Sequence, residues 1–585
     1  MINLVREKNP MPEQSPEVRV GNFEEVSQGY TKDMAIREAM RCLKCRKKPC
    51  MMKGCPTQMR IPEFIAKVAE GDFEAAYEII RSVSTLAPVC SRVCPHENQC
   101  EGSCVHGIKG QPVAIGSIER FVCDWHAAHC KDEITKAEPN GHKAAVIGAG
   151  PAGLSCASDL VDKGVDVTVY ESLNVAGGVL VYGIPEFRLP KDIVAKIVSE
   201  LEAKGVKFVT GSVVGKDITV EDLMKKEGFE SVFIGTGAEV PTTMNIPGED
   251  LKGVYTANDY LTAVNIGKAY LPENSGLLPQ ADRVAIIGGG NVAIDVARAA
   301  VRLGAKTTVI YRRSRDEMPA AADEVEEAIA EGVKFMFLAA PVEITGEGKA
   351  ESLKVEIMEL NEQKKPVGTG KFETVAVSAV ISAIGQKIDL GGMQGIETGA
   401  KGEVKVSMPS YCTSVPDVFA GGDVVTGPKF AIDAIAAGKE GAVSIHRYVH
   451  PGQSQVIGRD RRDYKAMNTA TAGISVAGFD TAPRQKAAAG PAKEAKKTFK
   501  DLRGTLTEEQ LKIETSRCLG CGAAVVDESL CVGCGICTTK CKFDAISLEK
   551  VTDYVGAPYF KALLGAAGNA PSAVAKLVTK KIARK

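Results

Sequence analysis

The chain has 585 residues, of which 44% are hydrophobic, and its 72 lysines and arginines nearly balance 73 aspartates and glutamates. This length is too great for one core and indicates roughly three to five domains of ~100 to 200 residues each. The formal charge of -1 argues against nucleic-acid binding. No apolar stretch reaches the ~18 residues that a membrane span needs, and the charged N-terminus lacks the core of a signal peptide. We therefore expect a cytoplasmic protein without a membrane span.

The N-terminal region, residues 1–139, is dense in cysteine. In a cytoplasmic chain, 18 cysteines are better explained as metal ligands than as disulfides. Eight lie within the first 110 residues: Cys42, Cys45, Cys50, Cys55, Cys90, Cys94, Cys100 and Cys104. Between them, one apolar stripe along residues 61–81 predicts a helical core that brings the two cysteine groups together. The next histidines and cysteine, His126, His129 and Cys130, are interpreted as an incidental grouping. Cys90, Cys123, Cys130 and Cys156 are expected to be buried small apolar residues.

A dinucleotide fingerprint follows the first predicted strand, in the sequence V-I-G-A-G-P-A-G from Val146 to Gly153. Its glycines allow a tight turn, and the helix N-terminus behind them favours a pyrophosphate. Glu171 stands 23 residues after Gly148 (171 minus 148), at the end of the next strand. A carboxylate there binds ribose hydroxyls and repels a 2'-phosphate, which indicates FAD. The predicted FAD residues in this motif are Gly148, Gly150, Pro151, Ala152, Gly153 and Glu171.

A second fingerprint lies at residues 286–293, with Tyr311 at the place corresponding to Glu171. Arg312 and Arg313 follow it directly, and Arg315 stands two further on. Because an arginine fork binds a phosphate with charge-assisted hydrogen bonds, we interpret this site as one for NADPH. The alternative is that these arginines form a solvated turn. The predicted NADPH residues are Gly288, Gly290, Asn291, Val292, Ala293, Arg312 and Arg313.

The C-terminal cysteines follow a stretch rich in Ala, Gly, Lys and Gln, which predicts a linker over residues 453–512. The C-x2-C-x2-C-x3-C spacing within 513–550 is typical of a four-iron cluster. Its ligands would be Cys531, Cys534, Cys537 and Cys541. A shorter pair, Cys518 and Cys521, is either part of a second cluster or a zinc site. The last residues, 551–585, are expected to be a basic tail.

Several of these motifs together resemble the small subunit of glutamate synthase over roughly residues 20–450. They are the cysteine pattern from Cys42 to Cys55-Pro56, the pattern from Cys94-Pro95 to Cys104, the segment I-E-R-F at 118–121, the FAD fingerprint and the segment 177–190. The same module occurs in the large subunit of NADH-dependent ferredoxin:NADP oxidoreductase and in the N-terminal half of dihydropyrimidine dehydrogenase.

The resemblance implies two N-terminal 4Fe-4S clusters. Cys42, Cys45, Cys50 and Cys104 would hold one cluster, and Cys55, Cys94, Cys100 and Glu119 would hold the other. The alternative for Glu119 is an ordinary surface or capping residue. The resemblance also adds Gly178, Gly237, Gly422 and Asp423 to the FAD site. It places the FAD domain at 140–246 and 385–452, and the NADPH domain at 247–384.

The expected fold class is α/β, with two Rossmann-like domains in a glutathione reductase-like arrangement. A helical iron-sulfur domain precedes them and a ferredoxin-like α+β domain follows. The favoured function is an NADP(H)-dependent FAD and iron-sulfur oxidoreductase subunit, with hydride transfer carried by FAD. It would exchange electrons with ferredoxin or with flavin or iron-sulfur subunits of an anaerobic hetero-oligomer. Electron bifurcation by this complex is a further hypothesis. The alternatives are the NADPH-oxidising subunit of glutamate synthase and a relay with vestigial nucleotide sites.

Overall fold

The computed structural model describes residues 5–131, 134–450, 452–456, 459, 482–488, 490–491, 502–517 and 538. The chain divides into two compact units, Met1–Gln455 and Val456–Lys585. The six cysteines predicted as C-terminal ligands lie outside the described residues, so their predicted cluster stays a prediction.

The described part of the first unit begins with six helices, continues with interspersed strands and helices, and has seven strands in succession before its last two helices. The helices are α1 Pro16–Arg19, α2 Lys32–Ala39, α3 Ile61–Glu70, α4 Phe73–Arg81, α5 Ala87–Val93, α6 Ile115–His129, α7 Pro151–Val161, α8 Val179–Tyr182, α9 Lys191–Lys204, α10 Val220–Lys225, α11 Ala257–Asn265, α12 Asn291–Arg302, α13 Ala322–Ala330, α14 Asp423–Thr426 and α15 Ala431–Val449. The strands are β1 Lys143–Ile147, β2 Asp166–Tyr170, β3 Lys207–Val209, β4 Ser231–Ile234, β5 Val240–Pro241, β6 Val254–Thr256, β7 Arg283–Ile287, β8 Lys306–Tyr311, β9 Lys334–Phe337, β10 Ala339–Thr345, β11 Ser352–Leu360, β12 Pro366–Ala376, β13 Ala379–Ser382, β14 Gln386–Lys387 and β15 Val418–Ala420.

The N-terminal region is helical, as the apolar stripe predicts, but the stripe spans two helices rather than one continuous run. Gly71 ends α3 with φ at +81°, and the Asp72 side chain caps α4 by accepting from the Ala75 amide. A glycine in the left-handed region followed by an N-cap aspartate ends one helix and begins the next. The stripe forms the core of this region through Ile61, Phe64, Ile65, Val68, Phe73, Ala76 and Ile80, all of which are buried.

Two parallel five-stranded sheets carry the nucleotide fingerprints. The first has the order β15-β4-β1-β2-β3, and α15 packs beside α7 on it. The second has the order β6-β13-β7-β8-β9 and is joined by the antiparallel sheet β10-β11-β12. Between them the chain passes through the small pair β5 and β14. The mixed α/β class with two Rossmann-like sheets is confirmed.

Buried ion pairs fix the second sheet's helices against the rest of the unit. Arg188 donates to both carboxylate oxygens of Asp295 on α12, at 2.9 and 2.8 Å. Glu331, whose side chain is fully buried, receives Arg298 and Arg302 from α12, and Arg19 from the N-terminal region pairs with it at 2.8 Å. Because each of these charges is compensated within the protein, the contacts hold the two nucleotide domains and the N-terminal region in one arrangement.

No described helix is long and apolar enough to cross a membrane. In the second unit, the described residues include the helix α16 Glu508–Ser516, which begins with a capping box between Thr507 and Gln510.

Candidate functional site

The first fingerprint forms the turn between β1 and α7, and its glycines are needed sterically. Gly148 has φ at +95°, and a Cβ on Gly153 would lie only 1.9 Å from the carbonyl oxygen of Gly148. At Gly150, by contrast, a Cβ would meet nothing within 4 Å, because this glycine faces open space at the helix N-terminus. The turn is therefore tight where it packs on itself and open where a pyrophosphate would approach.

Glu171 lies at the end of β2, beside this turn, and is buried. Its carboxylate accepts hydrogen bonds from the amide of Ala149, at 2.7 Å, and from the amide of Leu173, at 2.9 Å. These bonds fix the carboxylate next to the fingerprint. A carboxylate oxygen has more than one lone pair, so Glu171 retains acceptor capacity for ribose hydroxyls.

A cavity of about 350 Å³ extends from the fingerprint across the sheet edge. Several residues that the resemblance adds to the FAD site line it. They include Gly178, Gly237 and Asp423, with the residues that lead into α15, Pro428, Lys429 and Phe430. Gly422 precedes Asp423 with φ at +81°, and its Cβ would come within 3.1 Å of the Ala152 side chain. Eight of the ten predicted FAD residues thus line one space, whereas Gly153 and Gly422 do not line it.

Two polar groups in this cavity favour a polar ligand. The Thr236 hydroxyl is buried and has no hydrogen-bond partner among the described residues. Burial raises the pKa of Asp423 to about 6, although the Lys429 amide donates to it at 3.1 Å. An unpartnered buried hydroxyl and a desolvated carboxyl are both relieved by hydrogen bonds from a bound molecule, as the ribityl hydroxyls of FAD would supply.

The second fingerprint forms the turn between β7 and α12. Gly288 has φ at +148°, and a Cβ there would lie 2.3 Å from the Ala383 carbonyl oxygen, whereas a Cβ on Gly290 would meet open space. The Asn291 side chain accepts from the Ala321 amide at 2.9 Å, so it fixes a neighbouring loop. Ala293 is buried in the helix. This turn repeats the tight and open positions of the FAD fingerprint.

Val292 connects the two fingerprints. It stands at the second position of α12, is 43% exposed, and lines the same cavity as residues of the first fingerprint. A nucleotide on α12 would therefore reach the space beside the predicted flavin position. A larger cavity, of about 730 Å³, lies between the N-terminal segment and the second sheet, but it contains none of the predicted cofactor residues.

The three arginines after β8 have different surroundings. Arg315 forms an ion pair with Glu326 of α13. Arg312 is exposed, and Arg313 is partly buried, with a buried Nε that has no partner among the described residues. Arg313 is also fixed through its backbone, because its carbonyl accepts from the Leu338 amide at 3.1 Å. Arg312 and Arg313 are thus the arginines left for an anionic ligand, whereas Arg315 is used within the protein.

The N-terminal cysteines gather in the two sets that the resemblance implies. Cys42, Cys45, Cys50 and Cys104 line one small cavity among α3 and the neighbouring loops. Burial raises the pKa of Cys50 to about 12 and that of Cys42 above its usual value, and neighbouring cysteines add to both shifts. Burial and mutual repulsion of thiolate charges keep these cysteines protonated. A cationic iron-sulfur cluster that bound among them would compensate these charges and take the thiolates as ligands.

Cys55, Cys94, Cys100 and Glu119 line a second cavity. Glu119 lies in the first half of α6 and is only 7% exposed, so the surface or capping alternative does not describe it. Burial raises its pKa to about 8, and no neighbouring cation among the described residues offsets this shift. A buried carboxylate without a positive partner is unfavourable, and an iron ion would supply that partner. The donor set fits the second cluster.

The remaining described cysteines do not all match their predicted role. Cys90, Cys123 and Cys156 are buried, as predicted. Cys130 was predicted to be a buried apolar residue, and this was wrong: it is partly exposed and its thiol donates to Glu74 at 3.0 Å. The reason is that Cys130 follows the last turn of α6 at the surface, where a charged side chain of α4 reaches it.

No sequence pattern predicts the buried ion pair between Arg188 and Asp295. These residues are 107 positions apart, and their pairing holds the segment after α8 against α12. Burial is the largest influence on Asp295 and raises its pKa to about 6 even with Arg188 beside it. The tertiary fold alone brings Arg188 next to α12, where it pairs with Asp295.

Three family models match the chain. The pyridine nucleotide-disulphide oxidoreductase model matches residues 142–438. The model described as dihydropyrimidine dehydrogenase domain II, 4Fe-4S cluster, matches residues 19–131, which contain all eight predicted N-terminal cluster ligands. A 4Fe-4S binding domain matches residues 524–547, which include Cys531, Cys534, Cys537 and Cys541 but not Cys518 or Cys521.

Several relatives match most of the chain. The beta subunit of an NADP(+)-dependent formate dehydrogenase from Moorella thermoacetica is 36% identical over 510 residues, which cover 81% of this chain and 70% of that protein. The small chain of NADPH glutamate synthase from Halomonas elongata is 36% identical, covering 75% of this chain and 96% of the relative. The PreT subunit of an NAD-dependent dihydropyrimidine dehydrogenase from Escherichia coli is 33% identical, covering 73% and 97% respectively.

Proposed function

The chain belongs to the pyridine nucleotide-disulphide oxidoreductase family, in the group that contains the glutamate synthase small chains, and from that premise we propose that it moves electrons between NADP(H) and a partner subunit. It is an oxidoreductase with FAD, NADP(H) and 4Fe-4S clusters as cofactors. When bound, these groups supply hydride transfer from the nicotinamide to the flavin and one-electron transfer through iron.

The observation that carries this proposal is the cavity that both fingerprints share. Gly150 and Glu171 lie at one part of it, and Val292 of the second fingerprint lies at another. In our account Gly150 admits the FAD pyrophosphate, Glu171 holds its adenosine ribose, and Asp423 accepts from its ribityl chain. Val292 lines the same cavity and would contact a nicotinamide that is bound beside the flavin. These residues position the reactants and exclude water, and no side chain needs to act as an acid or base.

We assign the choice of NADPH over NADH to Arg312 and Arg313. The family contains relatives named for NADPH and a relative named for NAD, so membership alone does not determine the choice. Arg313 offers a buried guanidinium nitrogen without a partner, and Arg312 an exposed guanidinium beside it. Both are placed after β8, where the 2'-phosphate of NADPH is recognised in this fold. The solvated-turn alternative does not account for the buried nitrogen of Arg313.

The partner is inferred from the part of the chain outside the shared module. Nearly all of the glutamate synthase small chain, 96%, is matched by 75% of this chain. This chain also matches a 4Fe-4S binding domain at residues 524–547. An added cluster provides an added electron route, and this favours a multi-subunit electron-transfer complex, with ferredoxin or a flavin or iron-sulfur subunit as acceptor or donor.

Native mass spectrometry of the complex, purified anaerobically from its own cells, tests the partner. Companion flavin, iron-sulfur or dehydrogenase subunits are the expected result. A large amidotransferase subunit would instead identify the chain as the NADPH-oxidising subunit of glutamate synthase, which is the second candidate. The relationship to glutamate synthase small chains at 36% identity is the observation that favours that candidate.

Electron bifurcation is a finer form of the same proposal. It requires that NADPH reduce ferredoxin only while a second acceptor of higher potential is reduced at the same time. The test is ferredoxin reduction by the complete complex with and without that second acceptor. Equal rates in both assays would exclude bifurcation and leave simple electron transfer.

A further inference from the structure

Three metal-ligand side chains converge at the surface end of α6, away from both cysteine-lined cavities. They are Glu74 from the first turn of α4, and His126 and Cys130 from the end of α6. One ligand atom from each lies within 4.8 Å of the other two. A single Glu74 oxygen lies 2.9 Å from His126 Nδ1 and 3.0 Å from Cys130 Sγ. The three donors therefore point at one place.

The two helices that supply these donors are held together by aromatic packing. Phe73, next to Glu74, packs edge-on against Phe121 at 5.0 Å and Trp125 at 5.3 Å. The Tyr77 ring stacks on the His126 imidazole, with centroids 3.5 Å apart and planes within 8°. The orientation of the imidazole is thus fixed before any metal arrives. A site built on packed helices with a fixed ring is preorganised for binding.

We propose that Glu74, His126 and Cys130 form a Zn²⁺ site. Carboxylate, imidazole and thiolate groups are all preferred zinc ligands. His126 lies in the last turn of α6 and Cys130 is the C-cap of this helix, where its amide donates to the His126 carbonyl at 2.8 Å. In tetrahedral zinc, nitrogen and oxygen ligands stand about 3.3 Å apart and sulfur and oxygen about 3.5 Å. The present separations are 2.9 and 3.0 Å. Movements of a few tenths of an ångström admit the ion.

The proton balance is simple. In the structure the Glu74 oxygen accepts from the Cys130 thiol and faces His126 Nδ1. Zinc takes the place of the thiol proton, which leaves to solvent, and binds the lone pair of His126 Nδ1 while Nε2 carries the ring proton. The Glu74 side chain is 44% exposed. The site is accordingly open to water, which fills the fourth position.

The site ties the end of α6 to α4. The first half of α6 carries Glu119, seven residues before His126, which corresponds to ~10 Å along the helix. Zinc would fix the far end of the helix that contributes Glu119 to the second cysteine-lined cavity. Because the ion binds residues outside both cavities, this role is structural, and the proposal does not depend on the proposed function.

Metal analysis of the full chain tests the site. Wild type and the variants His126→Gln, Cys130→Ser and His129→Gln are exposed to equimolar ZnSO4, desalted, and analysed for zinc, iron and flavin. His129 is the matched control, because it is a histidine of the same helix end whose Nδ1 is 2.8 Å from the Trp125 carbonyl instead. We expect about one zinc per chain in wild type and His129→Gln, and loss of it in the other two, with iron and flavin unchanged.

X-ray absorption spectroscopy at the zinc edge, on the wild-type protein, provides a result that does not depend on whether the variants fold. The expected coordination is one sulfur at about 2.3 Å with the remaining ligands nitrogen or oxygen at about 2.0 Å. Two or more sulfurs, or zinc that leaves with Cys518→Ser/Cys521→Ser and not with Cys130→Ser, would place the ion on the C-terminal cysteine pair and overturn the proposal. Wild type that retains no zinc would overturn it as well.

Discussion

Replacing Arg313 by alanine should remove most of the preference for NADPH over NADH. The Arg313 Nε is buried and has no partner among the described residues, and its backbone is fixed by Leu338. A hydrogen bond to a charged group contributes about 1.5 to 3 kcal/mol. At 1.36 kcal/mol for each factor of ten, kcat/KM for NADPH should fall by about 10- to 150-fold. The value for NADH should stay nearly constant, since NADH has no 2'-phosphate.

The assay is anaerobic dye reduction by the purified chain at several concentrations of each nucleotide. Arg315→Ala is the matched control, because Arg315 is paired with Glu326. We expect it to change kcat/KM for NADPH by less than about threefold, as exposed ion pairs contribute little. Equal losses with NADPH and NADH in Arg313→Ala would indicate a folding defect, and an unchanged NADPH value would refute the assignment of the phosphate site.

Three further predictions concern the FAD turn, the buried charges and pH. Gly153→Ala should destabilise the flavin-free protein by about 1 to 3 kcal/mol through overpacking, since its Cβ would lie 1.9 Å from a carbonyl oxygen. Gly150→Ala should leave chemical unfolding unchanged but reduce FAD content. A Gly150→Ala variant that is destabilised but keeps its FAD would contradict the proposed pyrophosphate position. Glu331→Ala should cost about 3 to 5 kcal/mol in thermal or chemical unfolding because it leaves buried arginines uncompensated, and a loss below about 1 kcal/mol would show that the network does not hold the domains. Burial raises the pKa of Asp423 to about 6, so the folded flavin-free protein binds this proton more tightly than the unfolded chain does. The protein should therefore lose about 2 to 3 kcal/mol of stability as pH rises from about 4 to 6. Asp423→Asn should remove this loss, and a variant with the wild-type pH profile would contradict the prediction.

Local sequence patterns were sufficient to predict those parts of the candidate site that lie within one strand-turn-helix segment. Each fingerprint predicted a strand, a turn and a helix, and β1 with α7 and β7 with α12 are found there. The same holds for Glu171, which follows β2 and lies beside the turn that it was expected to serve. These features depend on backbone geometry that a few glycines dictate.

The sets of cysteines required the resemblance to known proteins. Spacing alone placed eight cysteines in the N-terminal region, but it did not say that Cys104 joins Cys42 rather than Cys100. The fold separates them into two cavities that share Ile61 of α3 and Ile115 of α6 as lining residues. Glu119 was likewise predicted as a ligand only through the resemblance, and its burial distinguishes it from a surface or capping residue.

Contacts between residues far apart in sequence could not be predicted from local patterns. Glu74 and Cys130 are 56 positions apart. The sequence pattern around His126, His129 and Cys130 therefore did not show that Glu74 joins His126 and Cys130 in a candidate site. The break at Gly71 was also missed, because the apolar stripe continues across it with nearly the same period. In each case the tertiary arrangement, rather than local propensity, decides the outcome.

Anaerobic reduction of the purified chain by NADPH tests the central claim most directly. The absorbance of the bound flavin and the electron paramagnetic resonance of the clusters are followed in the same titration, with dithionite as the reference for full reduction. We expect NADPH to bleach the flavin and to produce a signal from reduced 4Fe-4S clusters. Flavin and clusters that dithionite reduces but NADPH does not would contradict it.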